Sequence, residues 1–117
     1  VSPAININSA PSPLISSAAP APTGPQFAAV TPNTLAHNTP YQGTISGSGF
    51  TATGINFIFA DNGVGENDGY PATIVDDGHV TFGFNGGTMT VPGVYTVYYS
   101  TDGGATRAAT GLTITST

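Results

Sequence analysis

A chain of 117 residues fits one domain and buries roughly two-thirds of the surface its unfolded form exposes, enough for a hydrophobic core without covalent staples. It has no Cys, which excludes a disulfide framework, a thiolate nucleophile and Cys-based zinc sites, and Arg107 is its only Lys or Arg. Six scattered acids give a net charge of −5, so the chain lacks the basic patch that draws proteins onto nucleic acid or anionic membrane surfaces.

Residues 1–26 form the first compositional unit. Six of the ten prolines lie here, at positions 3, 11, 13, 20, 22 and 25, and they forbid helix and central strand while favouring an extended, polyproline-like backbone. Ile5 and Ile7 alternate with Asn6 and Asn8, and Leu14 with Ile15 makes a second apolar spot between prolines. These four apolar residues are the expected anchors of a docking arm. No run of about 18 apolar residues is present to span a membrane, and residues 1–25 lack the basic start and continuous apolar block of a signal peptide. Either such a signal has been removed or the chain is made in a cytoplasm; a chain beginning at Val, as left by removal of an initiator Met, suits a small complete gene product.

From Phe27 to Thr117 the pattern has period two with regular turn signals, which predicts an all-β body of seven strands. The first is Phe27 to Thr31, ended by Pro32, and the second is Tyr41 to Ser48. In the third, Ile55, Phe57 and Phe59 share one face and are expected in the core. The fourth is Ala72 to Val75, and Asp76, Asp77 and Gly78 then read as a hairpin turn needing positive φ. The fifth places Val80, Phe82 and Phe84 on one side. The sixth, Gly93 to Thr101, points Tyr95, Val97 and Tyr99 inward, and the Asp102, Gly103, Gly104 turn leads to a last strand carrying Leu112 and Ile114. Helical periodicity appears nowhere.

Seven short antiparallel strands with Gly-rich turns imply an immunoglobulin-like β-sandwich. The segments TPNT, GTISGSGF, INFIFAD, PATIV, VPG and GVYTVYYSTDGGATRAATGLTIT resemble the IPT/TIG family of immunoglobulin-like domains over nearly all of residues 27–117. The resemblance implies that Gly47 and Gly49 close the second strand along a path barred to β-carbons while Phe50 plugs the end of the sandwich. It further implies recognition or spacing in cell-surface, secreted or virion proteins, without shared catalytic residues. Tyr95 stands where such sandwiches place a structural tyrosine corner. The insert Asn62 to Tyr70 is longer than the family's usual connection.

That insert holds the only candidate metal ligands, Asp61, Glu66, Asn67 and Asp68, but their spacing departs from a calcium loop, so no cofactor or metal is expected. Neither His79, which leaves a hairpin, nor His37, in a Thr/Asn/Pro loop, belongs to a nucleophile motif, and Asp76 and Asp77 diverge if extended; the chain does not read as an enzyme. Tyr41, Tyr70 and Tyr98 are the rings expected outside or near an end, where a carbohydrate could stack. Two functions follow as expectations. One is a multi-copy structural protein, a phage capsid decoration or other virion surface protein held to its protein assembly by the arm. The alternative is a sugar-binding or spacer module of a secreted or bacterial cell-surface protein.

Overall fold

The structure, a computed structural model, describes residues 24–117. The expected anchors Ile5, Ile7, Leu14 and Ile15 lie outside the described residues. Strands β1 (Gln26–Thr31), β2 (Thr34–Leu35), β3 (Thr39–Ser48), β4 (Phe57–Asp61), β5 (Asn67–Asp76), β6 (His79–Thr88), β7 (Gly93–Ser100) and β8 (Ala108–Ser116) are joined with one helical turn, α1 (Phe50–Thr53). They form a curled sheet in the order β1-β3-β6-β5-β4-β7-β8-β2. All neighbours are antiparallel except β2, which runs parallel to β8.

The curl is made by β5. Its first half, Asn67 to Pro71, pairs with β4, whereas Ala72 to Asp76 pairs with β6 after a register shift near the end. One strand therefore serves both halves of the sheet, and the halves close on a common core. Val30, Tyr41, Ile45, Val80 and Phe82 come from one half and Ile58, Tyr70, Tyr95, Val97 and Ile114 from the other. Burying these side chains is the main force holding the body together, each large apolar one contributing roughly 1.5–3 kcal/mol. Rings meet across the halves: Tyr70 and Phe82 have centroids 5.5 Å apart, and Phe27 and Tyr99 5.1 Å apart.

The body has eight strands rather than the seven expected. The additional strand, β2, has two residues, too few for any periodicity, and is defined by its pairing of Thr34 with Thr115 and Leu35 with Ser116. The strand expected at Ala72 to Val75 starts earlier, at Asn67, so only Asn62 to Glu66 of the insert remains loop. A helical turn, α1, also appears where none was expected. Gly49 at φ 78° and Gly54 at φ 74° bracket it in left-handed conformations that open and end the turn.

The face assigned to β4 is reversed. Ile58 and Ala60 are fully buried, whereas Phe57 and Phe59 lie half-buried on the outer face; Ile55 is buried but precedes the strand. The outer face offers the rings space because Gly69 and Gly104 carry no β-carbon: one at Gly69 would lie 2.6 Å from Phe57 Cε2, and one at Gly104 3.1 Å from Phe59 Cζ. Phe57 and Phe59 then pack on each other at 5.1 Å. Phe84, expected inward with Val80 and Phe82, is 54% exposed and lies against Gly86. Tyr41 and Phe82, 5.6 Å apart, occupy the interior beside it. None of Asp76, Asp77 and Gly78 takes the expected positive φ. The Gly78 N–H donates instead to Asp76 Oδ1 at 2.8 Å, a side-chain-closed turn that needs no left-handed residue.

Candidate functional site

All six carboxylates of the chain accept hydrogen bonds that fasten turns. Asp77 receives the Gly49 and Thr51 N–H groups, at 3.1 and 3.2 Å, and so ties α1 to the β5–β6 hairpin. Asp76 receives Gly78 N–H and His79 Nδ1–H at 2.8 Å each, and His79 followed by Gly78 holds its carboxyl below the usual range. Asp102 receives the Ser100 hydroxyl at 2.6 Å and both the hydroxyl and N–H of Thr106, which lower its pKa and close the β7–β8 loop.

The three acids that were weak metal-ligand candidates, Asp61, Glu66 and Asp68, are drawn into separate tasks. Asp61 accepts from Gly63 N–H at 2.7 Å and from Arg107 at 2.8 Å, and these lower its pKa in that order. Glu66 braces the β6–β7 loop, accepting from Thr90 N–H at 2.8 Å, Thr90 Oγ1 at 2.7 Å, Val91 N–H at 3.0 Å and the Tyr95 hydroxyl at 3.0 Å. Burial opposes its charge, but the neighbouring Asp68, the Thr90 donors and Tyr95 outweigh that and hold it at about 2. Asp68 accepts Met89 N–H at 2.8 Å, and burial followed by the neighbouring Glu66 pushes its carboxyl above the usual range. The fourth candidate, Asn67, accepts from Arg107 at 3.1 Å. Among the described residues no group of three or more such ligands converges on one point.

Two of the tyrosines expected at the surface are in the core. Tyr41 is 2% exposed and donates to the Pro32 carbonyl at 2.5 Å; Tyr70 is 1% exposed with its hydroxyl 2.5 Å from Thr88 Oγ1. Burial raises the pKa of both, and neither can stack a sugar. Each hydroxyl finds a partner inside, which is what lets a Tyr be buried whole. Tyr95 is also fully buried, its one hydroxyl proton shared between the Val91 carbonyl at 2.7 Å and Glu66 Oε1 at 3.0 Å, and its pKa is pushed up to about 12 by burial and then by Glu66. At the Gly-x-Gly-Phe, Phe50 is fully buried against Phe27, 5.5 Å between centroids. A β-carbon at Gly47 would lie 1.9 Å from the Gln26 carbonyl oxygen, and Gly49 has φ 78°.

Tyr98 does lie on an outer face, with the Arg107 guanidinium 3.9 Å from its ring centroid and 5.6 Å from that of Phe59. Arg107 is thus held by hydrogen bonds to Asp61 and Asn67 and by cation–π contact with the Tyr98 and Phe59 rings. Beside it opens a groove of about 720 Å³ between α1, the end of β7 and the start of β8. Gly24 and Pro25, which precede β1, form part of its wall. Sequence periodicity could not reveal this groove, because its walls come from segments far apart in the chain. Comparison of the chain with protein-family models, curated proteins and solved structures returns no match.

Proposed function

We propose that this chain is a non-enzymatic structural protein: an immunoglobulin-like, IPT/TIG-type sandwich carried on a larger protein assembly by a docking arm over residues 1–26. The observation that carries the reading is the use made of the charged groups. All six carboxylates and Arg107 fasten turns and loops of the same body. Such an arrangement favours a rigid display unit over acid–base chemistry, which needs a carboxylate free to reach a substrate proton. The sandwich assignment is supported by β1 and β2 lying on opposite edges, by the parallel pairing of β2 with β8, and by the Tyr95 hydroxyl returning to Val91 four residues upstream. A phage capsid decoration or other virion surface protein is the setting that best suits a neutral arm and a braced body.

The test uses the full chain with Ile5→Asn, Ile7→Asn, Leu14→Asn and Ile15→Asn combined, and follows its cosedimentation with particles of the source at high salt. Apolar docking predicts that the unaltered chain stays bound in salt, where exposed ion pairs are screened, and that the variant is released. Equal binding of the two would refute the docking arm. The alternative, an accessory carbohydrate-binding module of a secreted or cell-surface protein, has less support, because Arg107 stands 3.9 Å over the Tyr98 ring that a sugar would stack on; glycan binding lost in Tyr98→Ala would favour it.

A further inference from the structure

We propose that Asn85 in β6 is a site of spontaneous covalent modification, converting through a cyclic imide to aspartate and isoaspartate, while the same dipeptide at Asn62 is held in the amide form by its hydrogen bonds. Asn-Gly occurs twice in the chain, at Asn62-Gly63 and at Asn85-Gly86. The chemistry open to each is the same. The Gly backbone nitrogen, its hydrogen lost to water or hydroxide, attacks the Asn Cγ; the side-chain nitrogen leaves as ammonia and the imide ring closes. Water then opens the ring at either carbonyl, so that amide plus water becomes acid plus ammonia, with the main chain continuing through the α-carbonyl in aspartate and the β-carbonyl in isoaspartate. Glycine favours the closure because no β-carbon crowds the attacking nitrogen.

At Asn62 the fold opposes each part of that step. The Gly63 N–H donates to Asp61 Oδ1 at 2.7 Å, and Asp61 is itself fixed by Arg107 at 2.8 Å. The nitrogen must give up that hydrogen to attack, and a carboxylate facing it disfavours the resulting anion. The electrophile is held as well. Asn62 Oδ1 accepts the Val64 and Glu66 N–H groups at 3.0 Å each, and the Asn62 N–H donates to the Glu66 carbonyl at 2.9 Å. Turning Cγ onto the Gly63 nitrogen breaks this set.

Asn85 stands in a different setting. The register of β3 with β6 passes from Tyr41 opposite Phe84 to Thr39 opposite Thr88, so Pro40 alone spans Asn85, Gly86 and Gly87. Proline has no N–H to offer the facing backbone. On the other side, the pairing of β5 with β6 reaches only Ala72 with Phe82. The Asn85 side chain is exposed, and among the described residues its one hydrogen bond is from Gln42 Nε2 to Oδ1 at 3.2 Å. Gln42 reaches it across Gly83, where a β-carbon would stand 2.5 Å from Gln42 Oε1. A donor on Oδ1 draws electron density from Cγ and leaves that carbon open to attack. The products then act on the sheet. Either acid places a negative charge beside Gln42, and isoaspartate adds a carbon to the β6 main chain just before Thr88, whose hydroxyl meets that of Tyr70 in the core.

Incubation of the full chain in mildly alkaline buffer tests this, with samples digested by pepsin in acid, where imide formation is slow, and mapped by mass spectrometry with fragmentation that separates aspartate from isoaspartate. In the folded chain Asn85 is expected to convert at least about tenfold faster than Asn62, since the bonds that hold Asn62 must be broken first. In urea the two rates should converge, because the unfolded chain keeps the dipeptides and loses the bonds. Gly86→Ala should slow Asn85 alone; its β-carbon would lie 2.7 Å from Phe84 Cε2, at the outer end of an exposed ring that can turn aside. Asp61→Ala should speed Asn62 alone, and circular dichroism separates that result from unfolding, which would speed both sites. Equal rates at the two sites of the folded chain, or an Asn85 that converts in urea but not when folded, overturns the proposal. An Asn85 rate unchanged by Gly86→Ala, or a product free of isoaspartate, overturns the imide route.

Discussion

Replacing Phe50 by Ala is the sharpest test of how this body is held together. The side chain is fully buried, its ring is 5.5 Å from that of Phe27, and the β3 backbone closes on it so tightly that a β-carbon at Gly47 would stand 2.7 Å from Phe50 Cζ. Truncation leaves a cavity between strands whose hydrogen bonds keep them from collapsing inward, so the cost belongs in the buried-aromatic range of about 3–5 kcal/mol. For a domain of this size each kcal/mol lowers the melting temperature by about 4–8 °C, giving a fall on the order of 15–30 °C. Thermal unfolding followed by circular dichroism measures it, with Phe84→Ala as the companion because Phe84 is 54% exposed. Phe84→Ala should lower the midpoint by only a few degrees, roughly 5 °C or less. Equal shifts for the two variants, or a Phe50→Ala shift below about 5 °C, would refute the packing argument.

Two further outcomes concern the carboxylates. Glu66→Gln keeps the shape of the β6–β7 brace but removes the charge that four donor groups face. It should cost about 1–3 kcal/mol in urea denaturation, and a loss below about 0.3 kcal/mol would show that the brace contributes nothing. Asp61, Glu66, Asp76 and Asp102 have folded pKa values below their ordinary ones, so their stabilisation is present above about pH 4 and is lost as pH falls toward the folded values, about 2 for Glu66. Asp68, with its pKa raised, has the opposite sign and loses its contribution as pH rises through the folded value. With four groups against one, the melting temperature should decline on acidification from about pH 5 to pH 3, and a level or rising profile would contradict this assignment.

The all-β body was legible because alternation is strong where only one face is apolar, as at Val80-Thr81-Phe82 or Tyr95-Thr96-Val97. It failed in Phe57-Ile58-Phe59-Ala60, where both faces are apolar and period two marks two faces without saying which is inside. The larger rings lost the interior because Gly69, Gly104 and Arg107 build them a shelter outside. The inward placement of Tyr41 and Tyr70 escapes the local pattern for a related reason. Their burial depends on partners for the hydroxyl, the Pro32 carbonyl and Thr88, and such distant pairings leave no mark in the local pattern. At the acidic insert, the spacing argued against a calcium loop, but the alternative partners of Glu66 and Asp68 lie more than twenty residues away.

The parallel contact of β2 with β8 has a mechanical meaning. Gly24 lies at the pole of α1 and the β7–β8 loop, whereas Thr117 lies at the other pole, its carbonyl accepting the His37 N–H and its own N–H reaching the Leu35 carbonyl. Tension applied between Gly24 and Thr117 therefore runs along the strands. It drags β2 and β8 past each other in opposite directions, and it slides β1 along β3. The ladder bonds, perpendicular to the strands between β1 and β3 and slanted between β2 and β8, are then loaded together, as a shear clamp, rather than opened one after another like a zipper. Hauled by its two ends, the body should yield abruptly at high force, and the release of β1 takes Val30 and Phe27 out of the core and opens it.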